Sequence, residues 1–172
     1  KQAKVTNKRL KAAQSDLRES KHALREALNL SKKTTYVNGL KELKRRAKGK
    51  IRLYVTSGKL QLKATDAVPG DVRDGIEAVN KLTRTIPSSV RNLQGVAKDG
   101  KAMFKKSQKF PANLRKELGS QGLNGLVDLI FKSPKITKKT VRNIRVIGAM
   151  PKRAGQTSKE LVQISTNIKA IF

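Results

Sequence analysis

Apolar residues in the first part of the chain follow a spacing of seven residues. The seam they form consists of Leu10, Ala13, Leu17, Leu24 and Ala27. This spacing places one narrow apolar stripe along a helix, interrupted at Ser20, and no Pro or Gly breaks residues 3–30. We therefore predict a long N-terminal helix over residues 1–31. It either lies across a helical bundle or pairs with another protein.

Residues 69–172 show apolar positions at the three- and four-residue spacing of amphipathic helices. The apolar stripes begin at Val72, Val90, Leu123, Val141 and Leu161. The prolines that divide them are Pro69, Pro87, Pro111, Pro134 and Pro151. Proline suits the first turn of a helix, because its missing N–H has no partner there in any case. We therefore predict a mainly α protein whose C-terminal part is a bundle of short, proline-started amphipathic helices.

The pattern changes to strict alternation over residues 51–64. The apolar positions are Ile51, Leu53, Val55, Leu60, Leu62 and Ala64, separated in the middle by Ser57 and Gly58. Alternation on both sides of a two-residue turn predicts a small β-hairpin. A helical interpretation competes with it, because Tyr36, Leu40, Leu43, Ala47 and Ile51 share one face of a continuous helix. A lone hairpin is only marginally stable, so we expect it to pack on the helices.

These patterns divide the chain into consecutive segments of one domain. The first is the N-terminal helix at 1–31, and the second is a basic linker with the hairpin at 32–68. The helical bundle at 69–172 follows. A length of 172 residues is typical of a single domain.

The charge balance indicates what kind of partner the protein binds. Lys and Arg number 40 against 12 Asp and Glu, a formal net charge of +28. Residues 30–63 alone carry 11 basic residues and 1 acidic residue. Such an excess repels itself in the compact state. We therefore expect a polyanionic partner to relieve the repulsion.

Few residue types for catalysis are present. The sequence has no Cys and a single histidine, His22, which we expect to face solvent. Clustered carboxylates follow Pro69 at Asp71, Asp74 and Glu77, where they complement the dipole of a helix N-terminus better than they would hold a metal. No G-x-S-x-G elbow and no phosphate-binding loop occur. We therefore predict a protein that is not an enzyme and uses no metal, cofactor or small-molecule substrate.

Basic residues cluster at three places along the chain. The densest group, the basic run, consists of Lys41, Lys44, Arg45, Arg46, Lys48, Lys50 and Arg52. A smaller cluster consists of Lys105, Lys106 and Lys109. The third consists of Lys135, Lys138, Lys139, Arg142 and Arg145, followed by Lys152 and Arg153. We predict that these residues bind a polyanion.

Nucleic acid is the first candidate for that polyanion. Lys outnumbers Arg by 27 to 13, and Arg is the better reader of base edges. Aromatic residues are only 3%, too few for a platform on which single-stranded bases stack. The prediction is therefore non-specific contact with the phosphate backbone, in a structural subunit of a larger assembly.

Two alternatives stay open. Amphipathic basic helices also suit a peripheral protein that binds an anionic membrane or lipid surface. A positive helical subunit also suits docking on acidic protein partners. The sequence holds no apolar stretch long enough for a transmembrane segment. Because it starts with Lys1, we expect an N-terminal segment to have been removed, by trimming or by natural processing.

Overall fold

The computed structural model describes residues 2–118 and 138–172, and the side chains of residues 4–103 and 148–172. Its helices are α1 (Gln2–Ala27), α2 (Tyr36–Ala47), α3 (Gly70–Leu118) and α4 (Lys138–Ile171). Strands β1 (Ile51–Thr56) and β2 (Lys59–Ala64) stand between α2 and α3. The mainly helical class, the long N-terminal helix and the small hairpin are therefore confirmed.

The apolar seam of α1 is buried within the molecule except at its last member, because Leu28 rather than Ala27 lies in the core. Its leucines Leu10, Leu17 and Leu24 are each at most 6% exposed and join a core to which every described element contributes. Helix α1 packs mainly on α3. The seam is therefore used inside the bundle.

Ser20 belongs to this seam rather than interrupting it. Its hydroxyl is buried, donates to the carbonyl oxygen of Ala78 at 3.0 Å and lies 3.0 Å from the Tyr36 hydroxyl. Burial raises the pKa of Tyr36 to about 12, although the Ser20 hydrogen bond acts in the opposite direction. The two hydroxyls satisfy each other and join α1, α2 and α3.

Helix α2 ends before the hairpin begins. Thr35 caps its start by accepting a hydrogen bond from the Asn38 amide at 3.2 Å. At its end Lys48 and Gly49 have φ values of 50° and 80°, which turn the chain out of the helix. The competing continuous helix is therefore wrong beyond Ala47, although the face it proposed is the buried face of α2.

The hairpin closes through a tight turn. Ser57 and Gly58 have φ values of 52° and 76°, as a two-residue type I′ turn requires. Leu60 and Leu62 of β2 are buried against α3. The expected packing of the hairpin on a helix is thus observed.

Of the four prolines within the described residues, only Pro69 stands at the start of a helix as predicted. Pro69 immediately precedes α3, but Pro87 and Pro111 lie inside α3 and Pro151 lies inside α4. The predicted start at Pro134 lies outside the described residues. An interior proline removes a backbone bond and costs about 3 kcal/mol. We attribute the tolerance of α3 for Pro87 to packing, because the same face of the helix is buried in the core before and after this residue.

Two observations support this explanation. Ile86 and Leu93 are both buried in the same core, before and after Pro87. A helix break at Pro87 would move one of them out of that core. At Pro151 the ring packs on Gly100 of α3, where an added Cβ would lie 3.1 Å from the proline Cδ. The proline therefore serves as a contact between α3 and α4.

Candidate polyanion-binding surface

The basic run is partly neutralised by its own neighbours. Glu42 accepts hydrogen bonds from Arg45 Nε at 3.0 Å and from Arg46 Nε at 2.9 Å. These bonds lower the pKa of the Glu42 carboxyl to about 2. The Glu42 carboxylate thus binds two of the residues that were predicted to bind a polyanion.

Other members of the run connect separate parts of the fold. Arg46 also donates to Asp71 at 3.0 Å, which joins α2 to the first turn of α3. Lys44 donates to the carbonyl oxygen of Ile171 at 2.7 Å, at the end of α4. In the same first turn, Asp71 accepts from the Val72 amide at 2.9 Å, consistent with its predicted place at a helix N-terminus.

The remaining members of the run are more available. Lys50 makes only a long hydrogen bond of 3.5 Å to the Ala67 carbonyl oxygen. Lys41, Lys48 and Arg52 are exposed, and in the described part of the chain they have no ion-pair partner. The run therefore divides into residues that bond to groups of this chain and residues that make few such bonds, although Lys44 and Arg45 of the first group are exposed as well.

The other two predicted clusters are only partly covered. Lys105, Lys106 and Lys109 lie in α3, and Lys138, Lys139, Arg142 and Arg145 lie in α4, but their side chains are outside the described set. Lys135 lies outside the described residues altogether. Lys152 and Arg153 are exposed on α4.

A second arrangement of cations follows the long helices. Basic residues recur every seven positions on three of them, forming what we call the cationic stripes. The α1 stripe consists of Lys4, Lys11, Arg18 and Arg25. The α3 stripe consists of Arg84, Arg91, Lys98 and Lys105. The α4 stripe consists of Lys138, Arg145, Lys152 and Lys159.

The described members of the stripes face solvent. All are exposed except Arg25, which is half-buried and donates to the Thr34 carbonyl oxygen at 2.9 Å. None of these described members forms an ion pair. Arg84 donates only to a carbonyl oxygen of its own helix, that of Asn80 at 3.3 Å. Their charges are therefore available to an external anion.

The helix geometry sets the spacing within a stripe. Seven residues rise about 10.5 Å along a helix and rotate by only about 20° from a full number of turns. The described members of each stripe therefore follow one another in a row along one helix. A row of this kind matches a linear polyanion better than a small anion.

A cationic cleft lies between α1 and α4. It is lined by Gln14, Leu17, Arg18, Lys21, Arg153, Thr157 and Glu160. Lys21 and Glu160 form an ion pair across it. Arg18 of the α1 stripe and the predicted residue Arg153 line the same cleft without an ion-pair partner among the described side chains. The cleft thus connects a predicted site residue with one of the stripes.

The groove between α1 and α3 has the opposite character. Asp16, Glu19 and His22 line it together with Lys81. Partial burial, assisted by the Glu19 charge, raises the pKa of Asp16. His22 is exposed as predicted, and its Nε2 lies 3.1 Å from Oε1 of Glu26. In the described residues, no group of three or more His, Asp or Glu side chains is placed to hold a metal ion.

Comparison with protein-family models, curated proteins and solved structures found no match to this chain. Within the described residues, no helix combines the length and the apolarity that a bilayer span requires. The α1 stripe and all of the α3 stripe except Lys105 were missed in the sequence because their members are dispersed, whereas Lys138, Arg145 and Lys152 of the α4 stripe were among the predicted residues. The signal was present as a spacing of seven, but its meaning depends on α3 continuing through Pro87.

Proposed function

We propose that this protein is a non-enzymatic polyanion-binding subunit that holds the phosphate backbone of nucleic acid without reading its sequence. The binding surface combines the cationic stripes with the solvent-facing members of the basic run. The protein works within a larger assembly, in which the polyanion offsets the repulsion of its +28 net charge.

The observation that carries the proposal is the regular spacing of unpaired cations on long helices. Helix α1 has 26 residues and α3 has 49, so the described members of their stripes keep the spacing of one continuous helix. Backbone binding requires many such contacts, because each one releases a counterion from the polyanion. Scattered surface lysines would supply charge but no alignment.

The burial of the apolar faces favours nucleic acid over lipid. The apolar seam of α1 and the stripe of α3 that begins at Val72 both lie in the core. A membrane surface would have to open the bundle to reach them. Phosphate contacts need only the side chains that already face solvent.

Salt-dependent binding tests the proposal. The full chain is titrated into labelled duplex DNA of two unrelated sequences over a range of NaCl concentrations. We expect log K to fall linearly with log [NaCl], with a slope corresponding to at least about five phosphate contacts, and the two sequences to differ by less than about threefold. Failure to bind either duplex at low salt would overturn the proposal.

Vesicles provide the competing partner. Co-sedimentation with phosphatidylserine–phosphatidylcholine vesicles, matched to the duplex in phosphate concentration, measures lipid binding directly. The proposal predicts tighter binding to duplex and unchanged helicity with either partner. A gain of helicity together with tighter binding to vesicles would replace nucleic acid by an anionic membrane.

A further inference from the structure

The two edges of the hairpin differ in their hydrogen bonds to the rest of the protein. On β2, the Asn80 side chain of α3 accepts from the Leu62 amide and donates to the Leu62 carbonyl oxygen, each at 2.8 Å. Asn80 therefore occupies the place where a neighbouring strand would pair. Nothing in the described chain forms a corresponding bond to β1.

The register shows which groups of β1 stay open. Leu62 points its backbone groups away from β1, and its pairing partner across the hairpin is Leu53. Opposed residues alternate between hydrogen-bonded and non-hydrogen-bonded pairs in an antiparallel ladder. The outward-facing N–H and C=O groups of β1 therefore belong to Ile51, Leu53 and Val55.

Apart from its charges, this edge lacks the usual protection against strand pairing. Natural edge strands are blunted by short length, charged side chains, proline, bulges or covering elements. The sequence of β1, IRLYVT, is rich in β-forming residues, contains no proline and pairs with β2 without a bulge. Val55 is 56% exposed and Tyr54 is 40% exposed. The strand is thus well suited to accept another.

The surroundings of the edge are positive. Residues 48–65 contain Lys48, Lys50, Arg52, Lys59 and Lys63 and no Asp or Glu. Lys63 stands over the Tyr54 ring, 5.2 Å from its centroid, on the exposed face of the hairpin. A strand added here would meet cations on that face and the apolar side chains of β1 on the other.

We propose that the open edge of β1 docks an extended acidic segment of a partner protein, which adds to the hairpin as a third strand. The open N–H and C=O groups recognise a polypeptide backbone, which a polynucleotide does not offer. The positive surroundings select acidic side chains at alternate positions. A second copy of this chain is disfavoured because both copies carry +28. The proposal does not depend on the nucleic-acid function, but the two partners would share Lys48, Lys50 and Arg52.

Amide hydrogen exchange on the intact chain tests it without a mutation. The probe is a synthetic peptide of alternating Glu and Val. Outward amides of Leu53 and Val55 exchange fast in the free protein, whereas the inward amides of Arg52 and Tyr54 are already protected. We expect saturating peptide to slow the two outward amides by at least about tenfold and to leave the inward amides unchanged.

A matched pair of variants at one position separates the backbone from the side chain. Val55→Pro removes an outward N–H that makes no bond within the hairpin, at an edge position where proline is tolerated. Val55→Ala removes the side chain and keeps the N–H. We expect the first to weaken peptide binding by about tenfold or more and the second by less than about threefold. Circular dichroism and the protection of Arg52 and Tyr54 report whether the hairpin stays folded.

Several outcomes overturn the proposal. These are the absence of slowed exchange at Leu53 and Val55, equal protection by a peptide with Lys in place of Glu, and the same protection by duplex DNA. Protection that rises with the concentration of the protein alone assigns the edge to a second copy instead. If Val55→Pro unfolds the hairpin, the exchange experiment on the unmodified chain decides.

Discussion

The basic run and the cationic stripes contain similar residues but differ in what those residues do. The run is the densest positive stretch of the sequence, yet Lys44, Arg45 and Arg46 all bond to groups of this same chain. The described members of the stripes make no ion pair, although Arg25 and Arg84 each donate to a carbonyl oxygen of this chain. High charge density in the sequence and availability to a partner are therefore different properties.

The difference has a physical cause. The end of α2 lies near the start of α3 and the end of α4, so its cations meet Asp71 and the last carbonyl oxygens of another helix. Cations near helix ends also find the partial charges of the helix dipole. The described members of the α3 stripe, Arg84, Arg91 and Lys98, lie on the solvent face inside that helix, and none of them forms an ion pair. The same residue type is consequently structural in one place and available in the other.

The largest effect is expected from removing a stripe. Arg84→Gln, Arg91→Gln and Lys98→Gln combined should lower the salt slope of duplex binding by about 3 and the affinity at 0.1 M salt by about 100-fold. The matched control combines Lys44→Gln, Arg45→Gln and Arg46→Gln, with the same change in charge. It should lower the slope by about 1 or less. Equal losses in the two variants would erase the proposed distinction.

The next prediction concerns alkaline pH and the first residue of α2, Tyr36, whose side chain is buried. Its pKa is about 12 in the folded chain, against the usual value near 10. Between these values the unfolded chain loses the proton and the folded chain keeps it, so the unfolding free energy falls as pH rises. The fall attributable to Tyr36 is about 2–3 kcal/mol by pH 12.

Tyr36→Phe is the control for this effect. It keeps the ring and removes the titrating hydroxyl, and deprotonation of the lysines affects both proteins alike. Urea unfolding at several alkaline pH values should therefore show a steeper loss of stability in the unmodified chain. Parallel curves would mean that the buried hydroxyl contributes nothing to the pH dependence.

Single substitutions at one cation of each kind give a smaller effect. Arg46→Gln removes bonds to Glu42 and Asp71 and should destabilise the fold by about 1–2 kcal/mol. Arg91→Gln, on the solvent face of α3, should change stability by less than about 0.5 kcal/mol. Urea unfolding at neutral pH measures both. An Arg91→Gln variant as unstable as Arg46→Gln would make the α3 stripe structural.

The smallest effect is expected at acidic pH. Arg45 and Arg46 lower the pKa of Glu42 from 4.5 to about 2. Its contribution to stability is therefore complete above the unfolded value and is lost as pH falls towards the folded value. Glu42→Gln should flatten the acid part of the stability curve, measured by urea unfolding at several acidic pH values. If Glu42→Gln left the acid part of the curve unchanged, the bonds of Glu42 to Arg45 and Arg46 would contribute nothing to the stability of the fold.

Local periodicity was sufficient to predict α1, β1 and β2, whereas α2 lies in the segment predicted as a basic linker and α3 was predicted as several shorter helices. The alternation around Ser57 and Gly58 identified the hairpin, and the spacing of seven identified α1. Pro87 was misinterpreted because local propensity was weighed without the core. The burial of Ile86 and Leu93 on one helical face shows that tertiary packing determines the course of α3.

The site was harder to predict than the fold. Arg46 and Asp71 are 25 positions apart, and Lys44 and Ile171 are 127 apart. No local sequence pattern predicts bonds between residues so far apart. All members of the basic run were therefore predicted to bind the polyanion. The open edge of β1 also needed the structure, because it is defined by contrast with the Asn80 bonds to β2.

Lysine footprinting tests the central distinction most directly. The chain is acetylated in trace amounts with and without duplex DNA, and each lysine is quantified by mass spectrometry. The account predicts that the duplex protects Lys4, Lys11 and Lys98 of the stripes, while Lys44, already bonded to Ile171, reacts slowly and equally in both states. Protection of Lys44 with no change at the stripe lysines would contradict it.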